Sequence, residues 1–215
     1  NPEMSTPVKL VSLFVAFACL LLAINFGLRS SMGFFMAPVS SHFGYGREVF
    51  AFSLALQNLC WGLFQPLAGA IADRFGTAKV VTGGSLLYAL GLYITSTADS
   101  FLGLHIGAGI LIGMAIAGTG FGVVLPALAR AVAPEKRAFA LGLGTAAGSA
   151  GQLLVIPIAQ EFIASYGWQT ALLLLAAGSL CMLLFAAPFK GDATNASTVT
   201  TAAPQQSLPD ALKEA

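Results

Sequence analysis

From Leu10 to Phe189 the chain is a near-continuous succession of apolar runs, separated by short breaks that hold most of the charged residues of that stretch. A bilayer core about 30 Å thick takes about 20 apolar residues to cross as a helix. Inside it every backbone N–H and C=O must be paired internally, so only helices and closed barrels can span. Barrels need alternating segments of about ten residues; these runs are longer and continuous. The sequence therefore predicts an all-α integral membrane protein. Composition agrees where it matters: of 215 residues, 57% are apolar and only 9% charged, against about 25% charged in soluble domains. That is too little charge for a water-facing surface, and a net charge of +1 leaves no basic face for nucleic acid.

Six transmembrane helices are expected, over residues 10–36, 49–72, 80–98, 101–128, 138–162 and 168–187. The breaks at 38–47, 73–79, 99–100, 130–137 and 165–167 carry charge and turn residues. Residues 1–9 read as a cytoplasmic N-terminal segment, 10–188 as the transmembrane bundle and 189–215 as a polar cytoplasmic linker. In that linker Ser207-Leu208-Pro209-Asp210 reads as a helix start, with Ala211 to Ala215 following. Lys9, Arg74, Lys79, Arg130, Lys136, Arg137 and Lys190 fall on one side of this arrangement and Arg47 on the other. Basic residues accumulate on the cytoplasmic side, so both termini are expected in the cytoplasm of a plasma or bacterial inner membrane. Cys19, Cys60 and Cys181 lie inside apolar runs without ligand spacing and read as packing residues; no metal or cofactor motif is present.

Between the second and third segments stands Gly69-Ala-Ile-Ala-Asp73-Arg74-Phe75-Gly76, with Lys79 close behind. This resembles the loop signature of the major facilitator superfamily, G-x-x-x-D-R-x-G followed by basic residues, although Thr77-Ala78-Lys79 replaces the usual basic pair. The resemblance covers residues 10 to about 190. It implies the first six of twelve helices, arranged as three-plus-three inverted repeats, with the C-terminal six-helix half as partner. Gly69 would allow close helix contact, Gly76 a tight turn, and Asp73 and Arg74 ion pairs that hold one conformation and release another. Arg130, at the end of the fourth segment, is a candidate partner for Asp73; the alternative is an arginine that only sets topology.

Arg29 lies within the first apolar run, with Asn25 one helical turn before it on the same face. An ionisable group inside a membrane segment is a functional candidate by default. Arg29-Ser-Ser-Met-Gly-Phe34-Phe35 resembles the first helix of the monocarboxylate transporter and oxalate/formate antiporter-like branch of the superfamily. In that branch the basic residue engages the substrate carboxylate. The other reading of Arg29 is a side chain that snorkels to the outer face, since it lies about 30 Å along the helix from Lys9.

On the second segment Gln57, Trp61 and Gln65 recur every four residues, with Asn58 beside them. This stripe either faces a cavity or bonds across a helix interface. Gly103, Gly107, Gly109, Gly113, Gly118 and Gly122 in the fourth segment, and Gly144, Gly148 and Gly151 in the fifth, fit close helix packing. His42 and His105 read as surface histidines, with a proton relay as the alternative.

The expectation is secondary active transport of a small organic anion, a monocarboxylate or dicarboxylate, by alternating access. A proton or counter-anion would drive it, and no enzyme activity is expected. A superfamily carrier for a sugar or drug, or a six-helix channel or homodimeric carrier, is the alternative.

Overall fold

The computed structural model describes residues 5–191. Residues 1–4 and 192–215, with the expected linker and the helix start at Ser207, lie outside the described residues. Among the described residues the structure is all helical: α1 (Ser5–Ser31), a 3-10 turn (Met32–Phe35), α2 (Met36–Phe43), α3 (Arg47–Phe75), α4 (Thr77–Ser96), α5 (Phe101–Leu104), a π-helical segment (His105–Leu111), α6 (Ile112–Thr119), α7 (Phe121–Ala131), a short 3-10 turn (Pro134–Lys136) and α8 (Arg137–Ala186).

Four segments are long and apolar enough to cross a membrane: Val11–Phe43, Thr77–Ser96, Phe101–Ala131 and Pro134–Lys190. The expected count was six, and the two differences have separate physical causes. The last segment contains 57 residues, far longer than a bilayer needs. It is broken at Gly167, whose φ of 79° and ψ of 163° are non-helical, so the expected 165–167 break is a single residue between two helical limbs. The second difference is α3, which is 29 residues long but is diluted by Gln57, Asn58 and Gln65 to below the apolarity of the others.

Two breaks are also shorter than the turn chemistry suggested. The 38–47 break contracts to residues 44–46, because Pro38 sits in the first turn of α2, where its missing N–H removes no intrahelical bond. The 73–79 break contracts to Gly76 alone: Asp73 and Arg74 end α3, and Thr77 begins α4. Charge marks where a helix leaves the apolar zone, and the helix itself runs on.

Packing follows the small residues. α1 lies along α8, where a Cβ on Gly151 would strike the Ala23 backbone and one on Gly27 the Val155 side chain. α4 meets α6 and the π segment through Gly84, 2.8 Å from Thr119, and Gly91, 3.0 Å from the Gly107 carbonyl, both measured from an added Cβ. α3 meets α6 at Gly113, where the same atom would stand 2.6 Å from the Gln57 carbonyl. Without a hydrophobic drive between helices in lipid, such close backbone approach supplies the van der Waals contact that holds a bundle. Large apolar side chains such as Phe52, Leu63, Phe139, Leu153 and Leu184 remain on the outside.

Candidate functional site

α1 brings Asn25 and Arg29 onto one face, and α3 meets it with Asn58 and Trp61. The Arg29 guanidinium lies over the Trp61 ring, 4.8 Å from its centroid, and its Nη2 donates to Asn58 Oδ1 at 2.7 Å. The Asn58 amide in turn donates to the Leu54 carbonyl at 2.9 Å. Arg29 Nε and Trp61 Nε1 are buried and have no hydrogen-bond partner. Among the described residues no carboxylate pairs with Arg29; the ion pair there is Asp73 with Arg130. Arg29 therefore carries a positive charge that is stacked and hydrogen-bonded but not neutralised.

One turn earlier, Asn25 is fully buried. The Thr119 hydroxyl shares its proton between the Ala115 carbonyl, at 2.7 Å, and Asn25 Oδ1, at 3.2 Å. Tyr88 donates to the Asn25 carbonyl at 3.2 Å. The Asn25 amide nitrogen has no partner. Beside it Phe26 stacks on Phe121, centroids 4.1 Å apart, and meets the edge of Trp61 at 6.0 Å.

The stripe on α3 divides. Gln57 is buried and donates to the Ala108 carbonyl of the π segment at 2.8 Å; it is an interface amide and is turned away from Arg29. Asn58 and Trp61 join the Arg29 cluster. Gln65 packs against Gly122, where an added Cβ would stand 2.6 Å from its Nε2. The helical period placed four residues on neighbouring faces, but which of them an adjacent helix covers depends on tertiary packing.

At the α3–α4 turn, Asp73 lies 3.6 Å from the Arg130 guanidinium, whose Nη2 also donates to Thr77 at 3.4 Å. Gly76 holds φ 96° and ψ 143°, a region that suits only glycine, so the turn is made there. Arg74 lies over the Phe75 ring at 5.3 Å, and Lys79 is exposed. Gly69 does not have the expected close helix contact: a Cβ there meets nothing within 4 Å, because this face of α3 has no neighbour at that level.

His42 is exposed and edge-on to Trp168 at 5.3 Å. His105 is half-buried and bonded through Nδ1 to Ser53 at 2.7 Å. Sequence reasoning did not single out Thr119, Tyr88 or the helix break at Gly120. The clustered glycines of Gly118-Thr119-Gly120-Phe121-Gly122 were the available signal for the break. Clefts of about 560 Å³, beside Lys136 and Phe139, and about 630 Å³, beside Lys79 and Lys190, lie away from Arg29. Unpaired buried donors are the better guide to the site, because neither cleft is lined by Asn25, Arg29 or Trp61.

The sequence profile of the Major Facilitator Superfamily matches residues 18–214. The chain belongs to this superfamily. It is thus a multi-pass integral membrane protein related to transporters. Mouse monocarboxylate transporter 11 is 32% identical over 160 residues, covering 73% of this chain and 35% of that protein. The galacturonate transporter of Dickeya chrysanthemi is 30% identical over 146 residues, covering 64% of this chain and 41% of the relative. The chain therefore spans well under half the length of these relatives. Among solved structures, a POT family transporter in complex with 5-aminolevulinic acid superposes with a TM-score of 0.67 over 83% of this chain and 37% of that one. At 18% identity it shows a shared fold alone.

Proposed function

We propose that the chain forms the N-terminal six-helix half of a secondary carrier that moves a small organic anion, a monocarboxylate or dicarboxylate, by alternating access. The six passes are α1 with α2, α3, α4, the α5-to-α7 segment, and the two limbs of α8. Both termini face the cytoplasm of a plasma or bacterial inner membrane. Arg29 receives the substrate carboxylate; Asn58 and Trp61 orient the guanidinium, and the second half closes the site. A proton or counter-anion supplies the driving force, and the Asp73–Arg130 pair, with Gly76 as its turn, latches one conformation.

The observation that carries this reading is the uncompensated charge of Arg29. A guanidinium held inside a bundle without a carboxylate is costly unless something anionic pairs with it, and its fork geometry fits a carboxylate. The names of the relatives, a monocarboxylate and a galacturonate transporter, support the same class of substrate.

The test is carboxylate uptake by the full-length carrier, normalised to surface protein, across Arg29→Lys and Arg29→Gln. Loss of a desolvated charge partner is worth about 2 to 5 kcal/mol, so Arg29→Gln should weaken apparent affinity by about thirty-fold to several thousand-fold, with Arg29→Lys between. A carrier for a neutral sugar or drug, with Arg29 merely snorkelling, would lose expression but keep its affinity. Unaltered affinity in the Gln variant sinks the assignment.

A further inference from the structure

The fourth apolar segment is not one helix. α6 ends at Thr119, Gly120 adopts extended backbone with φ −93° and ψ −166°, and α7 begins at Phe121. A new helix N-terminus thus forms inside the bundle. Gly120, as its N-cap, has no side chain to cap it. Val123 and Val124 both turn to the Gly120 carbonyl. The N–H groups of Phe121 and Gly122 belong to the opening turn, which has no intrahelical acceptor for them. Aligned peptide dipoles place roughly half a positive charge at such an end.

A second observation points to the same place. The Asn25 amide nitrogen, on a fully buried side chain and without a partner, stands 3.4 Å from where a Cβ on Gly120 would be. The Thr119 hydroxyl lies 3.2 Å from Asn25 Oδ1 and 2.7 Å from the Ala115 carbonyl. On the other side of the turn the Gln65 amide nitrogen rests against Gly122. Two side-chain groups at the start of α7, the Asn25 and Gln65 amides, are therefore hydrogen-bond donors, set beside the Ile116 carbonyl, which would stand 2.6 Å from an added Cβ on Gly120. Arg29 is one turn along α1 from Asn25, about 6 Å by rise. The stacked Phe26, Phe121 and Trp61 rings lie beside both.

We propose that the α7 N-terminus with Asn25 is a second anion pole, and that the substrate is a short dicarboxylate bridging it and Arg29. Discontinuous membrane helices that aim a half-helix N-terminus at an anionic group give this arrangement its physical basis. One carboxylate pairs with the guanidinium. The other accepts from the Phe121 and Gly122 N–H groups and from the Asn25 amide, while the short carbon chain lies against the aromatic rings. The proposal rests on Arg29 as the first pole.

The test uses the purified full-length carrier and isothermal titration with succinate, succinamate and butyrate, which share chain length but differ at one end: carboxylate, neutral amide or methyl. Succinate should bind about tenfold more tightly than succinamate, and more tightly still than butyrate. Asn25→Asp supplies an anion to the α7 N-terminus from within the protein, so the succinate-to-succinamate ratio should fall to near one. Gly122→Ala covers the same N–H groups while displacing the Gln65 side chain from Cγ outward, so it should lower the ratio part-way and serves if the aspartate variant does not fold. Arg29→Gln should weaken all ligands that bind. Equal affinity for succinate and succinamate in the wild type overturns the second pole, as does a ratio that survives both substitutions. If Arg29→Gln changes nothing, the first pole falls instead, and the ratio across the Asn25 and Gly122 variants still decides the second. Absence of binding by all three ligands overturns both.

Discussion

Two charged regions of this helical bundle are built on opposite principles. At the α3–α4 turn, Asp73 and Arg130 balance one another at 3.6 Å, with the Asp73 side chain 68% exposed. Around Arg29, a guanidinium stacks on Trp61 and bonds to Asn58 while its charge goes unanswered, and buried donors on Arg29, Trp61 and Asn25 lack partners. A water-facing pair is worth about 0 to 1 kcal/mol, weak enough to form and release during a conformational cycle. A stacked, unneutralised charge in an apolar setting favours any state in which an anion arrives. In the carrier we propose, one region suits switching and the other binding, and the difference lies in solvent exposure and charge balance rather than in residue type, since each is centred on an arginine.

Stability separates the two most sharply. Replacing Arg29 with Met removes an uncompensated charge and keeps a long apolar stem. The ligand-free, detergent-solubilised full-length carrier should then gain about 1 to 2 kcal/mol, read as a rise in thermal midpoint. Carboxylate should no longer stabilise the variant. A lower midpoint would mean that Arg29 is a structural member of the α1–α3 contact, and the contrast between the regions would dissolve.

The Asp73→Asn substitution is expected to act the other way round. Because an exposed ion pair contributes little to folding, stability should change by less than about 1 kcal/mol and surface expression should hold. Uptake should nevertheless fall steeply, because the pair biases one conformation of the cycle. Wild-type uptake would reduce the turn to a topology signal, and lost expression would make it a folding contact.

Much of this architecture was legible in the sequence because the bilayer constrains it so tightly. Runs of the right length predicted an all-helical membrane fold, and the glycine-rich fourth and fifth segments announced close packing that Gly113 and Gly151 display. The breaks were drawn too wide, since Pro38 and Lys79 lie inside helices and Asp73 lies in the last turn of α3. The site was only half legible. Asn25 and Arg29 stood out as polar residues in an apolar run, and four-residue spacing grouped Gln57, Trp61 and Gln65. Whether Gln57 would face Arg29 or the Ala108 carbonyl depends on where the π segment docks against α3, which no local pattern encodes. Thr119 and Gly120 were hidden for a related reason: a helix break within an apolar run carries no change in hydropathy.

Gly69 gives the smallest expected effect and the finest test of the switching region. The signature at this turn holds two glycines, and only one has a conformational reason in this structure: Gly76 occupies φ 96°, whereas Gly69 is helical and a Cβ there meets nothing within 4 Å. In a helix, alanine is favoured over glycine by about 0.5 to 1 kcal/mol through backbone entropy. Gly69→Ala should therefore leave surface expression intact and stability equal or slightly raised, with uptake within about twofold of wild type. Measured beside Asp73→Asn in the same uptake assay, that result would confine the switch to the charged pair and its turn. Loss of uptake with normal surface protein would show instead that α3 meets a neighbour at Gly69 in another conformation of the cycle. The latch would then extend along the helix, and the comparison with the Arg29 region would have to include packing as well as charge.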